Sequence, residues 1–352
     1  MSSTKTRFYE IDFLRFLSAF FVVVFHYTFT ASVENFSPVA NFEAVRYFSK
    51  YAYMGINFFF LISGFVIFMS VSNGSAKKFL ISRFTRLFPA YWFALLVTSV
   101  ATVYLGGEVF DINWVRFIAN ITMINELFGQ KPIESAYWTL FIELKFYLLI
   151  YVLLLLGLMK YYQHIIAIVL VGSLAALFSP LGISSEPFLH IFPHWSGYFA
   201  AGSALYLVKR DGPSLYRVSL VVLSYLFILK QSTLFGELMT GWLNYEFRAD
   251  VIVVLNSAFF FFFCAIAFME NNILRKKWCL HLGVLTYPLY LIHQHLGYML
   301  FNQFGTEDNI GYLVVGMIVV MLVIAYFMHT QVEKRLAPLF KTFGQKILRV
   351  SN

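Results

Sequence analysis

Arg15 and His26 stand eleven residues apart in an apolar stretch of this 352-residue chain. At about 100° per residue that spacing brings them within about 20° of one helix face, roughly 16 Å apart along the axis. An ionisable residue at a bilayer centre costs about 2.5–3.5 kcal/mol, so such residues face inward and usually have work to do. A buried imidazole is suited to moving protons, and a guanidinium near the mouth of the same stripe to holding an anion. Taken singly, Arg15 can snorkel to headgroups beside Asp12, and His26 can be a hydrogen-bonded structural histidine. Glu143 enters a later apolar stretch to a similar depth, with Tyr147 four residues on and on the same face. A carboxylate beside an imidazole fixes its tautomer and stabilises the imidazolium that forms. The structural alternative is an ion pair of Glu143 with Lys145 or another helix. Lys145, turned roughly 200° from Glu143, has no evident role.

Tyr287, Tyr290 and His293 follow one another at three-residue steps, a polar face on an otherwise apolar helix. His293 suits a second catalytic or substrate-contacting group and, equally, a packing hydrogen bond. His295, two residues on, reads as interfacial. Asn57 and Ser63 are milder polar intrusions on another apolar stretch. Arg83 and Arg86, three apart in a basic loop, form a pair of guanidinium forks that can grip phosphate bidentately. A cofactor carrying several phosphates fits that clamp, and ordinary loop charge against anionic lipid accounts for it as well.

These residues need membrane helices to hold them. The chain is 60% hydrophobic, 20% aromatic and only 12% charged, against roughly 25% charged in a soluble domain. Runs of about 20 apolar residues predict ten spans: 13–32, 51–72, 88–106, 138–157, 162–179, 190–208, 215–230, 249–270, 283–302 and 311–330. The seventh is short, and the segment 112–128 reads as an interfacial or re-entrant helix. The expected fold is an all-α polytopic bundle in one domain, 1–352, with no appended esterase-like domain and no cleaved signal peptide. Of the 26 Lys and Arg, 18 fall in segments on the side of the N-terminus, six in the opposite loops and two, Arg15 and Lys145, within spans. Positive residues resist translocation, so both termini are expected in the cytoplasm. The net charge of +8 is then mostly topology, which weakens any nucleic-acid reading. Two cysteines, one within a span, make a disulfide framework or a zinc site improbable, and no metal is expected.

In this order the motifs resemble acyltransferase family 3, multi-span enzymes that include bacterial O-antigen acetylases. The similarity rests on Arg15 and His26 behind Asp12-Phe13-Leu14, on Phe59-Phe60-Leu61-Ile62-Ser63-Gly64-Phe65, and on Arg83 and Arg86 before Pro89 and Tyr91. It continues with Trp138-Thr139-Leu140, Glu143 and Tyr147, and with Tyr287 to His293. The resemblance implies transfer of an acyl group, commonly acetyl, from cytoplasmic acyl-CoA to a hydroxyl presented within or across a bacterial inner membrane, in the stand-alone form of the family. On that reading His26 is the base, oriented by Glu143; Arg83 and Arg86 hold the phosphates and Arg15 the cofactor's tail. Asn57, Ser63, Tyr290 and His293 are candidates for contacting substrate or the oxyanion. Lipid-linked sugar, O-antigen, periplasmic glucan, peptidoglycan and small metabolites all remain open as acceptors. The rival class is a secondary transporter or acyl-group permease, because intramembrane Arg, His and Glu also mark proton relays. A third reading is a scaffold whose polar residues only cement helices.

Overall fold

The computed structural model describes residues 8–37, 43–71, 75–177, 193–269 and 273–350, and every regular element among them is helical. Span ends expected at 72, 178–179, 190–192 and 270, and the basic residues Lys5 and Arg7, lie outside the described residues. The protein is a polytopic all-α membrane bundle, the architecture in which apolar segments satisfy every backbone N–H and C=O internally. Among the described residues, eight helices are long and apolar enough to cross a bilayer.

Helix α1 (Tyr9–Phe25) continues through a wide π-type turn at His26–Thr30 to Val33. Helix α2 (Gly55–Val71) is apolar on all sides and almost wholly buried. Helix α3 (Ala76–Leu105) begins a dozen residues earlier than the expected span 88–106. Ser75 Oγ accepts the Lys78 amide at 3.1 Å and caps it, so Arg83 and Arg86 ride on helix and not on a loop. Thirty residues span about 45 Å against a hydrocarbon core of about 30 Å; the surplus carries the basic residues. Helix α4 (Trp114–Ile121) is too short to cross and exposes Trp114, Val115 and Ile118.

Helices α5 (Trp138–Leu155), α6 (Tyr162–Leu177), α7 (Pro193–Asp211), α8 (Leu215–Leu243) and α9 (Ala249–Phe268) follow. The seventh expected span, 215–230, is corrected by α8: Lys230 and Gln231 do not end the helix, which runs for 29 residues. Helix α7 occupies most of the expected span 190–208 but is not among the eight apolar crossings. It relies on small residues instead. A Cβ on its Gly202 would overlap the Leu61 carbonyl of α2, and a Cβ on Gly64 the Phe199 carbonyl of α7, a backbone approach that only glycine permits. Gly202→Val is therefore expected to cost about 1–3 kcal/mol or more by overpacking, read as a lower melting temperature in detergent; an unchanged melting temperature would refute the close crossing.

The ninth expected span, 283–302, is not continuous. Helices α10 (Trp278–Gly283), α11 (Thr286–Ile292) and α12 (Gln294–Phe304) divide it, with His293 at the last joint. Helix α13 (Ile310–Phe327) passes through a second wide turn, Met328–Glu333, into α14 (Lys334–Leu348). Helix α14 lies beside the first turns of α3: Phe340 meets Phe84 and Trp92, and Lys77 Nζ donates to the Leu348 carbonyl at 3.0 Å.

Candidate active site

The π-type turn widens α1 at His26, a distortion often found at functional sites. His26 Nδ1 lies 2.8 Å from His293 Nε2, with the rings near-parallel and their centroids 5.0 Å apart. His293 Nδ1 in turn lies 2.9 Å from the Tyr290 carbonyl oxygen. A carbonyl only accepts, so His293 Nδ1 carries a hydrogen and its Nε2, in the neutral ring, accepts one from His26 Nδ1. The network thus assigns His26 the tautomer with an unprotonated Nε2, and it needs no buried charge. Burial in the bundle holds the pair: His293 is fully buried and His26 is 8% exposed.

Side chains from elsewhere take up backbone groups at the joint at His293. In an unbroken helix the amides of Gln294 and His295 would take the carbonyls of Tyr290 and Leu291. Here the first carbonyl accepts from the His293 ring and the second from Tyr137 Oη at 3.1 Å. The His295 amide goes instead to the carboxyl of Glu134, which accepts it at 2.8 Å. Tyr27 Oη donates to the His293 carbonyl at 2.7 Å. His295, expected at the interface, is buried, and its Nε2 sits 2.7 Å from Ser135 Oγ.

A narrow cavity lies beside α1 on the stripe between Arg15 and His26, lined there by Ser18, Ala19 and Val22. Glu143, Tyr287 and Tyr290 face it from α5 and α11. Arg15 lies over the ring of Phe59, another lining residue, at 5.4 Å. Arg15 is within electrostatic reach of Arg86, Glu143, Tyr147 and Asp12. Arg83 lies over the rings of Phe79 and Tyr147, at 5.5 and 5.6 Å. Arg15 Nε and two of the three guanidinium nitrogens of Arg83, Nε and Nη1, are buried without a hydrogen-bond partner. Buried donors left unpaired are expensive, most of all on a charged group. An anion delivered to this end would supply the missing acceptors.

The structure does not bring Glu143 to His26. Glu143 Oε1 accepts from Tyr147 Oη at 2.6 Å and from Ser63 Oγ at 3.1 Å, while the partner of His26 is His293. Depth along the bilayer follows from residue count, but the direction a helix faces does not. Ser63 thus supports the carboxylate. Asn57 faces a different, smaller cavity with Tyr198 and Asn256, and its Nδ2 donates to Asn256 Oδ1 at 3.5 Å. Tyr290 Oη and Thr139 Oγ1 are 2.7 Å apart and each lies 3.0 Å from the Ala136 carbonyl. Each hydroxyl has one hydrogen, and this triangle uses both. Glu134 and Tyr27 escaped the sequence reading. Glu134 precedes its span and looks like one more loop acid, and its role is visible only once α11 and α12 separate.

A family model of the acyltransferase domain, family 3, matches residues 8–329 of the chain. Among characterised proteins, the chain is 24% identical over 160 residues to the peptidoglycan O-acetyltransferase OatA of Listeria monocytogenes, covering 40% of this chain and 23% of that protein. It is 29% identical over 119 residues to nodulation protein 10 of Rhizobium leguminosarum, covering 28% of this chain and 32% of that protein. The alignments therefore span about a quarter and a third of the lengths of these relatives. No solved structure gives a significant match. The match over nearly all of the helical bundle is what decides the class: the chain belongs to acyltransferase family 3 and is an integral-membrane acyltransferase.

Proposed function

We propose that the protein moves an acyl group, in the first instance acetyl, from acyl-CoA to a hydroxyl of a cell-surface or lipid-linked glycan. The observation that carries this reading is the bare Nε2 of His26 on the same stripe of α1 as the cavity beside Ser18, Ala19 and Val22, together with the buried, unpaired nitrogens of Arg15 and Arg83. Arg83 and Arg86, with Arg15 behind them, bind the phosphates of CoA, and the acyl-pantetheine arm follows the Ser18–Val22 face toward His26. The bias of basic residues toward one side supports a bundle set in a bacterial cytoplasmic membrane, both termini and the arginine end inside. The acceptor enters from the opposite side. The name of one relative, a peptidoglycan O-acetyltransferase, supports acetyl as the group and a glycan as the acceptor. A carrier would need neither the anion clamp nor the directional histidine pair.

An alcohol at neutral pH is a poor nucleophile without a base. His26 Nε2 takes the acceptor's hydroxyl proton as the oxygen attacks the thioester carbon. The tetrahedral intermediate then collapses, the C–S bond breaks, and the departing thiolate recovers that proton from the imidazolium. One ester and one CoA thiol result, and the imidazole returns to its starting form. Glu143 lies along the path with its charge spread onto Tyr147 and Ser63, and it balances the arginines when no donor is bound.

Cells with and without the gene supply the direct test. Mass spectrometry of their surface glycans is expected to show an O-acyl ester that disappears with the gene and returns with the wild-type copy. Identical ester content in both would count against a glycan acceptor.

A further inference from the structure

Helix α14 carries a row of apolar side chains that the described residues leave uncovered. Leu339, Phe343 and Ile347 follow one another at four-residue steps and are 65, 61 and 61% exposed. The neighbouring side of the helix is occupied: Phe340 packs on Phe84 and Trp92 of α3, and Gly344 lies against Ile81. Depth sets the row apart from the lipid-facing residues of the crossing helices. The 18 residues of α13 rise about 27 Å against a hydrocarbon core of about 30 Å, and the turn Met328–Glu333 takes up the rest. Helix α14 therefore begins at headgroup level, where Lys334 and Arg335 stand exposed. From Lys334 to Val350 the chain has no Asp or Glu, and its five cations, Lys334, Arg335, Lys341, Lys346 and Arg349, are all exposed. Two of them, Arg335 and Lys346, fall within about 40° of Leu339 around the helix and run along the flank of the row.

We infer that α14 is an interfacial helix that docks on an anionic lipid surface, with Leu339, Phe343 and Ile347 in the acyl boundary and its cations on the lipid phosphates. An apolar row beside Lys and Arg, on a helix otherwise polar, is the pattern of a segment that lies in the membrane plane. Topology accounts for the sign of these charges, but not for their placement along an exposed apolar row. Each cation held near such a surface adds about five-fold in affinity. A second copy of the chain fits less well. Self-complementary pairing would set row against row and bring Arg335 and Lys346 of one chain toward the same cations of the other. The docked helix also has a neighbour to hold: through Phe340 and Gly344 it anchors the turns of α3 around Ile81 and Phe84, between and beside which Arg83 and Arg86 stand. The inference concerns lipid and does not depend on the proposed reaction.

The test places a nitroxide spin label on the full-length protein at Phe343→Cys, in the row, or at Thr342→Cys, on the polar side, with Cys264→Ala and Cys279→Ala as background. Each is reconstituted in vesicles of phosphatidylcholine alone or of phosphatidylcholine with phosphatidylglycerol. Oxygen, which concentrates in hydrocarbon, and a water-soluble nickel chelate report what surrounds the label. With phosphatidylglycerol the label at position 343 is expected to meet oxygen and escape nickel, while the label at 342 meets nickel. Arg335→Gln with Lys346→Gln should lower the ratio of docked to undocked helix by roughly 25-fold, two cations at about five-fold each, and high salt should act in the same direction. Hydrogen exchange over 334–349 in the unaltered chain carries the test if the labelled background does not fold, and is expected to be slower with phosphatidylglycerol than without. Nickel access at both positions in both vesicles, or the same docking and exchange without anionic lipid, overturns the inference. So does a label at 343 shielded from oxygen and nickel alike and broadened by a second label, the signature of a second copy on the row.

Discussion

His26→Ala is expected to lower acyl transfer by about 10²–10⁴-fold, the range over which a positioned general base acts, while acetyl-CoA binding stays near wild type. The split follows from geometry: the ring is three helical turns along α1 from Arg15 and touches His293, Phe25 and Tyr298 but none of the arginines. A base acts on kcat; a residue that merely fills space would lower folding yield and affinity together. His293→Ala should cost less, about 10–100-fold, because His26 would remain with its tautomer unspecified. The double variant should be no worse than His26→Ala alone, since a positioning residue has nothing left to position. Transfer near the wild-type rate in purified His26→Ala would remove the base from the mechanism. Additive losses in the double variant would instead make His293 an independent participant.

How much of this was legible before any coordinates depends on whether the residues concerned share a helix. Arg15 and His26 lie on one α-helix, whose period fixes their common face, and the cavity follows that face. Arg83 and Arg86 were recognisable as a pair by the same rule, yet the helix beneath them was missed because Ser75, its cap, sits in a polar stretch that reads as loop. Contacts between helices were not legible. His26 and His293 are 267 positions apart, and nothing local in either segment reports the other. Glu143 failed for a related reason: α2 and α5 are apolar on nearly all sides, so no amphipathic stripe tells which way their polar residues point. Asn57 was misdirected in the same way, toward α9 and its Asn256. The break at His293 was hidden most deeply. An apolar run of this length reads as continuous helix, with neither glycine nor proline next to His293 to mark a break, and here it is parted by side chains from elsewhere in the chain, Glu134, Tyr137 and Tyr27.

Arg83→Ala combined with Arg86→Ala is expected to weaken acetyl-CoA binding by about 100-fold or more, with kcat at saturating donor little changed. Hydrogen bonds to charged groups contribute about 1.5–3 kcal/mol each, and each 1.4 kcal/mol is a factor of about ten in affinity. Two forks therefore reach that figure even at the low end. The competing account is diffuse positive charge at a membrane surface, and it makes a different forecast. On that account Lys77→Ala with Lys78→Ala, two exposed charges on the same helix, should weaken binding as much, and the loss should fade with salt because exposed charges are screened. A clamp that includes the buried, unpartnered nitrogens of Arg83 predicts instead that the lysine pair matters little. It also predicts that Arg83→Lys recovers only part of the affinity, since an ammonium restores the charge but not the fork. Equal losses for the two double variants would return Arg83 and Arg86 to the role of topological charge, and the phosphates of the donor would need another site.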